Sequence, residues 1–91
     1  MNIRSEISYM IDDYTDDQYN GDRSKAMNIW IRLYRKIGKK YNINVNREAT
    51  LNNWSKIEYL ERKGLISEAF DIVKQIIVND KIYMERKNRK G

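Results

Sequence analysis

The sequence predicts an all-α fold, a small single-domain bundle of three to four helices with short connections. Three observations carry this. The chain has no proline and only four glycines, so helix breakers are scarce. Apolar residues recur every three or four positions in four separate stretches. The one alternating polar–apolar stretch, Asn42-Ile43-Asn44-Val45-Asn46, is too short for an independent sheet. A chain of 91 residues builds one small core, with a radius of gyration of roughly 12 Å. Residues 1–91 are therefore read as one helical domain, whose last six or so residues form a frayed basic tail.

The first helix is expected over Asn2 to Tyr14, with Asn2 as cap and Ile3, Ile7, Met10, Ile11 and Tyr14 on one face. Asp12 and Asp13 oppose the dipole of a helix C-terminus, and Asp17 would fall beside the apolar face, so the helix is ended there. Thr15 and Gln18 bracket a short turn, and Asn20-Gly21 is a turn signal. The second helix starts with Asp22 or Ser24 as cap and ends near Tyr41, Gly38 either being tolerated or stopping it early. At 100° per residue, Met27, Trp30, Ile31, Leu33, Tyr34, Ile37 and Tyr41 share an apolar arc. Lys25, Arg32, Arg35, Lys36 and Lys39 fall opposite, with Lys40 at the edge.

Residues 42–46 are expected to be an extended linker that tucks Ile43 and Val45 inward. A third helix, Arg47 to Lys63, is capped by Asn46 and stopped by Gly64, with Trp54, Ile57 and Leu60 as its core stripe, helped by Ala49 and Leu51. Ser67 caps a fourth helix bearing Ala69, Phe70, Ile72, Val73, Ile76 and Ile77. Asp80 would land within that apolar face, so a break is expected near Asn79-Asp80, followed by a second piece from Lys81 in which Tyr83 and Met84 still pack. The stretch Ile57 to Lys74 resembles a SHOCT-type hairpin through Ile57, Leu60, Gly64-Leu65-Ile66-Ser67-Glu68, Phe70 and Lys74. Such modules are short helical units associated with mediating association; they usually carry a second acid where Ala69 stands here, and no function is carried over from them.

The net charge of +5 is unevenly placed. Residues 1–22 carry −5, residues 23–47 carry +8 with no acid at all, and residues 48–91 carry +2. The absence of cysteine removes disulfides and thiolate metal sites, and the absence of histidine removes the commonest general base. The glycines form no phosphate-binding loop, and the serines no nucleophile elbow. The reading is therefore a protein that is not an enzyme, with no cofactor. Asp12, Asp13, Asp16 and Asp17 offer four hard oxygen donors, but lack the glycine and terminal glutamate of a calcium loop. They are read as a solvated acidic edge, with no metal bound.

The candidate binding residues are Arg32, Arg35, Lys36, Lys39 and Lys40 on the second helix, joined by Lys56, Tyr59 and Lys63, where an exposed tyrosine between lysines would stack on a base. The expected partner is nucleic acid, or a nucleoprotein or acidic protein surface. A helix-turn-helix at Gly64 fits poorly, because Glu68 and Asp71 would occupy base-reading positions. No membrane span and no signal peptide are visible, and the apolar faces are needed for the core, so a cytoplasmic protein of a bacterial host cell is expected. Asn, Ile, Lys and Tyr supply 40 residues against three alanines, a bias that points to an AT-rich bacterial, phage or plasmid gene. Size and composition match small stoichiometric inhibitors of the phage anti-CRISPR kind. The expected function is stoichiometric action on a nucleic-acid-handling protein or its RNA or DNA. The alternatives are direct, largely non-specific RNA or DNA binding and a self-associating or immunity-type helical module.

Overall fold

The computed structural model describes residues 2–89. It has five helices and, among the described residues, no strand: α1 Ile3–Tyr19, α2 Arg23–Tyr41, α3 Val45–Leu51, α4 Lys56–Arg62 and α5 Ile66–Arg89. The all-α class is as expected, but the count is five because the expected Arg47–Lys63 helix is two short ones.

α1, capped by Asn2 Oδ1 on the Arg4 N–H at 2.9 Å, runs past Tyr14 to Tyr19. Acids in its last turns cost about 0.3–1 kcal/mol each where exposed. Extending the helix buries Thr15, whose hydroxyl donates to the Ile11 carbonyl at 2.7 Å, and carries Tyr19 alongside Tyr14. Both tyrosine hydroxyls then donate to Asp80 Oδ2 on α5, that of Tyr19 at 2.6 Å. The same junction removes the expected break in α5. Asp80 sits half-buried with its carboxylate satisfied, so the helix continues through it to Arg89.

Asp22 caps α2, accepting from the Ser24 N–H and hydroxyl, which hold its carboxyl below the usual range. Asn42 ends α2 in the left-handed region and turns the chain back, so that the Ile43 N–H reaches the Gly38 carbonyl at 3.0 Å. Gly38 is required at this point: a Cβ there would stand 2.8 Å from the Ile43 carbonyl oxygen. Asn44, not Asn46, caps α3. Asn53 at φ 57° breaks the chain after Leu51, and Ser55 caps α4 by accepting from the Glu58 N–H. Gly64, at φ 72°, follows α4 as expected, with Leu65 N–H on the Leu60 carbonyl and Gly64 N–H on the Glu61 carbonyl. α5 begins at Ile66, which places Ser67 inside the first turn rather than at the cap.

Contacts set the helix directions. Arg4 pairs with Glu61, just before α5, while Tyr14 meets Asp80 well along it, so α1 and α5 run parallel. Lys40 pairs with Glu68, while Ile29 and Arg32 share a small cavity with Asp80, so α2 runs antiparallel to α5. The core lies between these three helices: Ile7, Ile11 and Tyr14; Ala26, Ile29, Leu33 and Ile37; Ala69, Val73, Ile76 and Ile77. Val45, Ala49, Tyr59 and Leu60 close one end. The molecule measures 48 × 27 × 21 Å, with a radius of gyration of 14.1 Å. The long axis follows from α5, whose 24 residues extend about 36 Å.

Several expected core residues are exposed: Met27, Ile31 and Tyr41 on α2, Leu51 on α3 and Tyr83 on α5. The buried line of α2 is Ala26, Ile29, Leu33 and Ile37, rotated from the expected arc. Trp30 and Trp54 pack partly buried against the core, Trp30 stacked on Tyr34 with ring centroids 5.9 Å apart. Among the described residues, no helix is long and apolar enough to cross a membrane.

Candidate binding surface

The basic residues of α2 form a flank rather than the opposite face. Arg32, Arg35, Lys36 and Lys39 lie within an arc of about 100°, centred about 115° from the buried line. Met27 and Ile31 occupy the outward arc on the other side. From Arg32 to Lys39 the flank covers about 10 Å of helix. Arg35, Lys36 and Lys39 are exposed and Arg32 half-buried, and none of the four makes an ion pair among the described residues.

Lys40 is different. Its ammonium pairs with Glu68, which also accepts from the Tyr41 hydroxyl. The hydrogen bond from Lys40 and that from Tyr41 hold the Glu68 carboxyl below its usual range, while the hydrogen bond to Glu68 and its charge push Lys40 up. Lys40 thus ties the end of α2 to the start of α5 and leaves the open cationic set at four.

Beside that set, α2 and α3 enclose a cleft of about 520 Å³. Its lining includes Arg35, Lys39, Asn42, Asn44 and Asn46. The cleft exists because Asn42 reverses the chain over Gly38. Two cations and three amide side chains on one concave surface can bind anionic oxygens through charge and hydrogen bonds together.

The second expected patch does not join this one. Tyr59 is 3% exposed and packs 6.5 Å from Trp54, so it is a core residue and no stacking platform. The break at Asn53 re-aims α4, bringing Tyr59 and Leu60 inward together. Burial, with the Glu48 charge second, raises the Tyr59 hydroxyl pKa. Lys63 lies over the Tyr59 ring at 5.8 Å. Lys56 reaches α2, but at the Tyr34 ring, 5.6 Å away and about 150° around the helix from the centre of the cationic flank. Burial pushes the Tyr34 hydroxyl up to about 12, against an opposing effect of Arg4.

The four aspartates of α1 diverge along the helix. Asp12 pairs with Arg23 at 3.6 Å, while Asp13 and Asp17 face the groove between α1 and α5. Among the described residues, no group of three or more carboxylate, imidazole or thiol side chains is arranged to hold a metal ion. Sequence reasoning missed the amides of the α2–α3 cleft. Their signal was the Asn-x-Asn-x-Asn spacing at 42, 44 and 46, read there only as a linker.

The chain matches no protein-family model, no curated protein and no solved structure.

Proposed function

We propose that this protein is a stoichiometric, non-catalytic binder that engages a nucleic-acid backbone, bare or held by a nucleic-acid-handling protein, through the cationic flank of α2. The observation that carries the reading is the grouping of Arg32, Arg35, Lys36 and Lys39 on one flank without ion-pair partners among the described residues, next to a cleft lined by Arg35 and Lys39. Like charges three and four residues apart on a helix repel by a few tenths of a kcal/mol per pair, and a row of phosphates relieves that repulsion. The aromatic expected to stack on a base, Tyr59, is buried, so the reading rests on backbone charge.

The test is fluorescence anisotropy with labelled single- and double-stranded DNA and RNA across a salt series. Three to four neutralised phosphates give a slope of log K against log salt of roughly −2 to −3.5. Arg35→Glu with Lys36→Glu and Lys39→Glu abolishes binding and leaves the thermal unfolding curve nearly unchanged. Lys40→Ala, which removes a cation already paired within the chain, weakens binding much less. Equal binding by the triple variant and the parent would overturn the proposal.

A further inference from the structure

A concavity of about 1050 Å³ lies away from the cationic flank, between α1 and α5. Its floor is apolar, formed by Met10, Phe70 and Ile77, while Tyr9 and Val78 stand on its outer edges. Tyr9 is 67% exposed and Val78 47%, and Ile82, 43% exposed, extends the latter edge one turn along α5. A single exposed apolar residue needs no explanation, but several along both edges of one groove, beside charges of opposite sign, mark an association surface. One border is acidic, with Glu6, Asp13 and Asp17 on α1. The other is basic, with Lys74 and Lys81 on α5. None of these five side chains makes an ion pair among the described residues.

We propose that this groove is covered by a second copy of the chain, related by a two-fold axis running along the groove. A two-fold interface sets the same patch against itself, so the patch must be self-complementary. Rotation about the groove direction lays each acidic border on the partner's basic border, whereas rotation about the direction across the groove lays acid on acid. The heights also agree. The contacts of Tyr14 with Asp80 and Lys81 place each α1 residue level with the α5 residue about 66 positions later. Lys81 then stands level with the midpoint of Asp13 and Asp17, and Lys74 about 3 Å along the axis from Glu6. Rotation about the groove keeps every height, so each lysine meets carboxylates of the other copy. The apolar floors of the two grooves then face one another at the centre, and Tyr9 of each copy stands across from Val78 of the other, outside the ion pairs.

Sedimentation equilibrium of the full chain without nucleic acid, at loading concentrations from about 5 to 500 µM, tests this over the range of weak to moderate association. The parent's mass rises from 11.0 kDa toward twice that value. Val78→Asp, at an exposed position, stays at the single-chain mass with its helicity intact. Two charge variants fix the geometry: Lys74→Glu with Lys81→Glu makes both borders acidic, and Glu6→Lys with Asp13→Lys and Asp17→Lys makes both basic. Each alone associates at least tenfold more weakly than the parent, and an equimolar mixture regains association as a one-to-one heterodimer. The proposal is overturned if the parent stays at the single-chain mass throughout. It is equally overturned if the charge variants associate as the parent does, if the mixture gains nothing, or if the monomeric parent instead takes up an unrelated amphipathic helix.

Discussion

Asp80→Ala tests the polar junction that joins the first and last helices. In the parent, the Asp80 carboxylate accepts from Tyr14, which is 6% exposed, and from the half-buried Tyr19. A hydrogen bond to a charged group contributes about 1.5–3 kcal/mol net, and a buried donor left alone loses its full solvation. Tyr14, 6% exposed, recovers less of its loss once Asp80 is gone than the half-buried Tyr19 does. The substitution therefore costs about 3 kcal/mol, equivalent to a fall in Tm on the order of 15 °C for a domain of this size. Tyr14→Phe alone, which leaves Asp80 with Tyr19, costs about 1–2 kcal/mol. The double variant loses less than the sum by about 1–2 kcal/mol, since both changes remove the same bond. Urea unfolding followed by circular dichroism gives all four free energies. A loss below about 0.5 kcal/mol for Asp80→Ala, or strict additivity in the cycle, would refute the reasoning. The junction also sets an alkaline limit. Burial first, then the hydrogen bond to Asp80 and its charge, push the Tyr19 hydroxyl up to about 12 and that of Tyr14 further. Both states keep these protons below pH 10, where the contribution is complete. Above pH 10 the unfolded chain releases them first, so stability falls as pH rises toward and through 12.

Tyr59→Ala lowers the free energy of unfolding by about 3–5 kcal/mol, because a ring 3% exposed is removed from the core. The fraction still folded binds nucleic acid as the parent does, and a selective loss of affinity with unchanged stability would instead make Tyr59 a contact residue. Gly38→Ala reverses the sign that helix propensity gives: propensity alone favours alanine by about 1 kcal/mol. The new Cβ would press on the Ile43 backbone carbonyl, so a net loss of about 1–2 kcal/mol is expected in thermal melts. A higher Tm would show that the turn at Asn42 yields easily.

The class of the fold was legible because helix periodicity is local, and four stretches displayed it. Where α1 ends and whether α5 breaks were not legible, and both misreadings have one cause. Asp80 looks like a charge stranded on an apolar face, and Asp12 to Asp17 look like a poor helix end, until Tyr14 and Tyr19 are seen to meet Asp80. That meeting is a tertiary fact with no local signature. The break inside the expected third helix was more accessible. Ser55-Lys56-Ile57-Glu58 has the capping-box spacing, and Ser55 does cap α4. Missing it kept Tyr59 on the wrong side of a single long helix. For the candidate surface, charge counting along the chain located the cationic flank of α2. It could not show that Lys40 is tied to Glu68, because that acid lies 28 residues away.

The placing of α5 bears on how the chain reaches its native state. α1 and α2 form a hairpin early in the sequence, yet each leaves an apolar line that α5 closes through Ala69, Val73, Ile76 and Ile77. Tyr14 and Tyr19 find their acceptor 66 and 61 residues downstream. A nascent chain emerging from a ribosome therefore exposes Ile7, Ile11, Leu33 and Ile37 until residues near Asp80 are free to dock. Each helix can coil locally within microseconds, but the joining of α1 and α2 into this core waits on α5. A stop codon or proteolytic cut before α5 would yield an aggregation-prone hairpin rather than a smaller working domain.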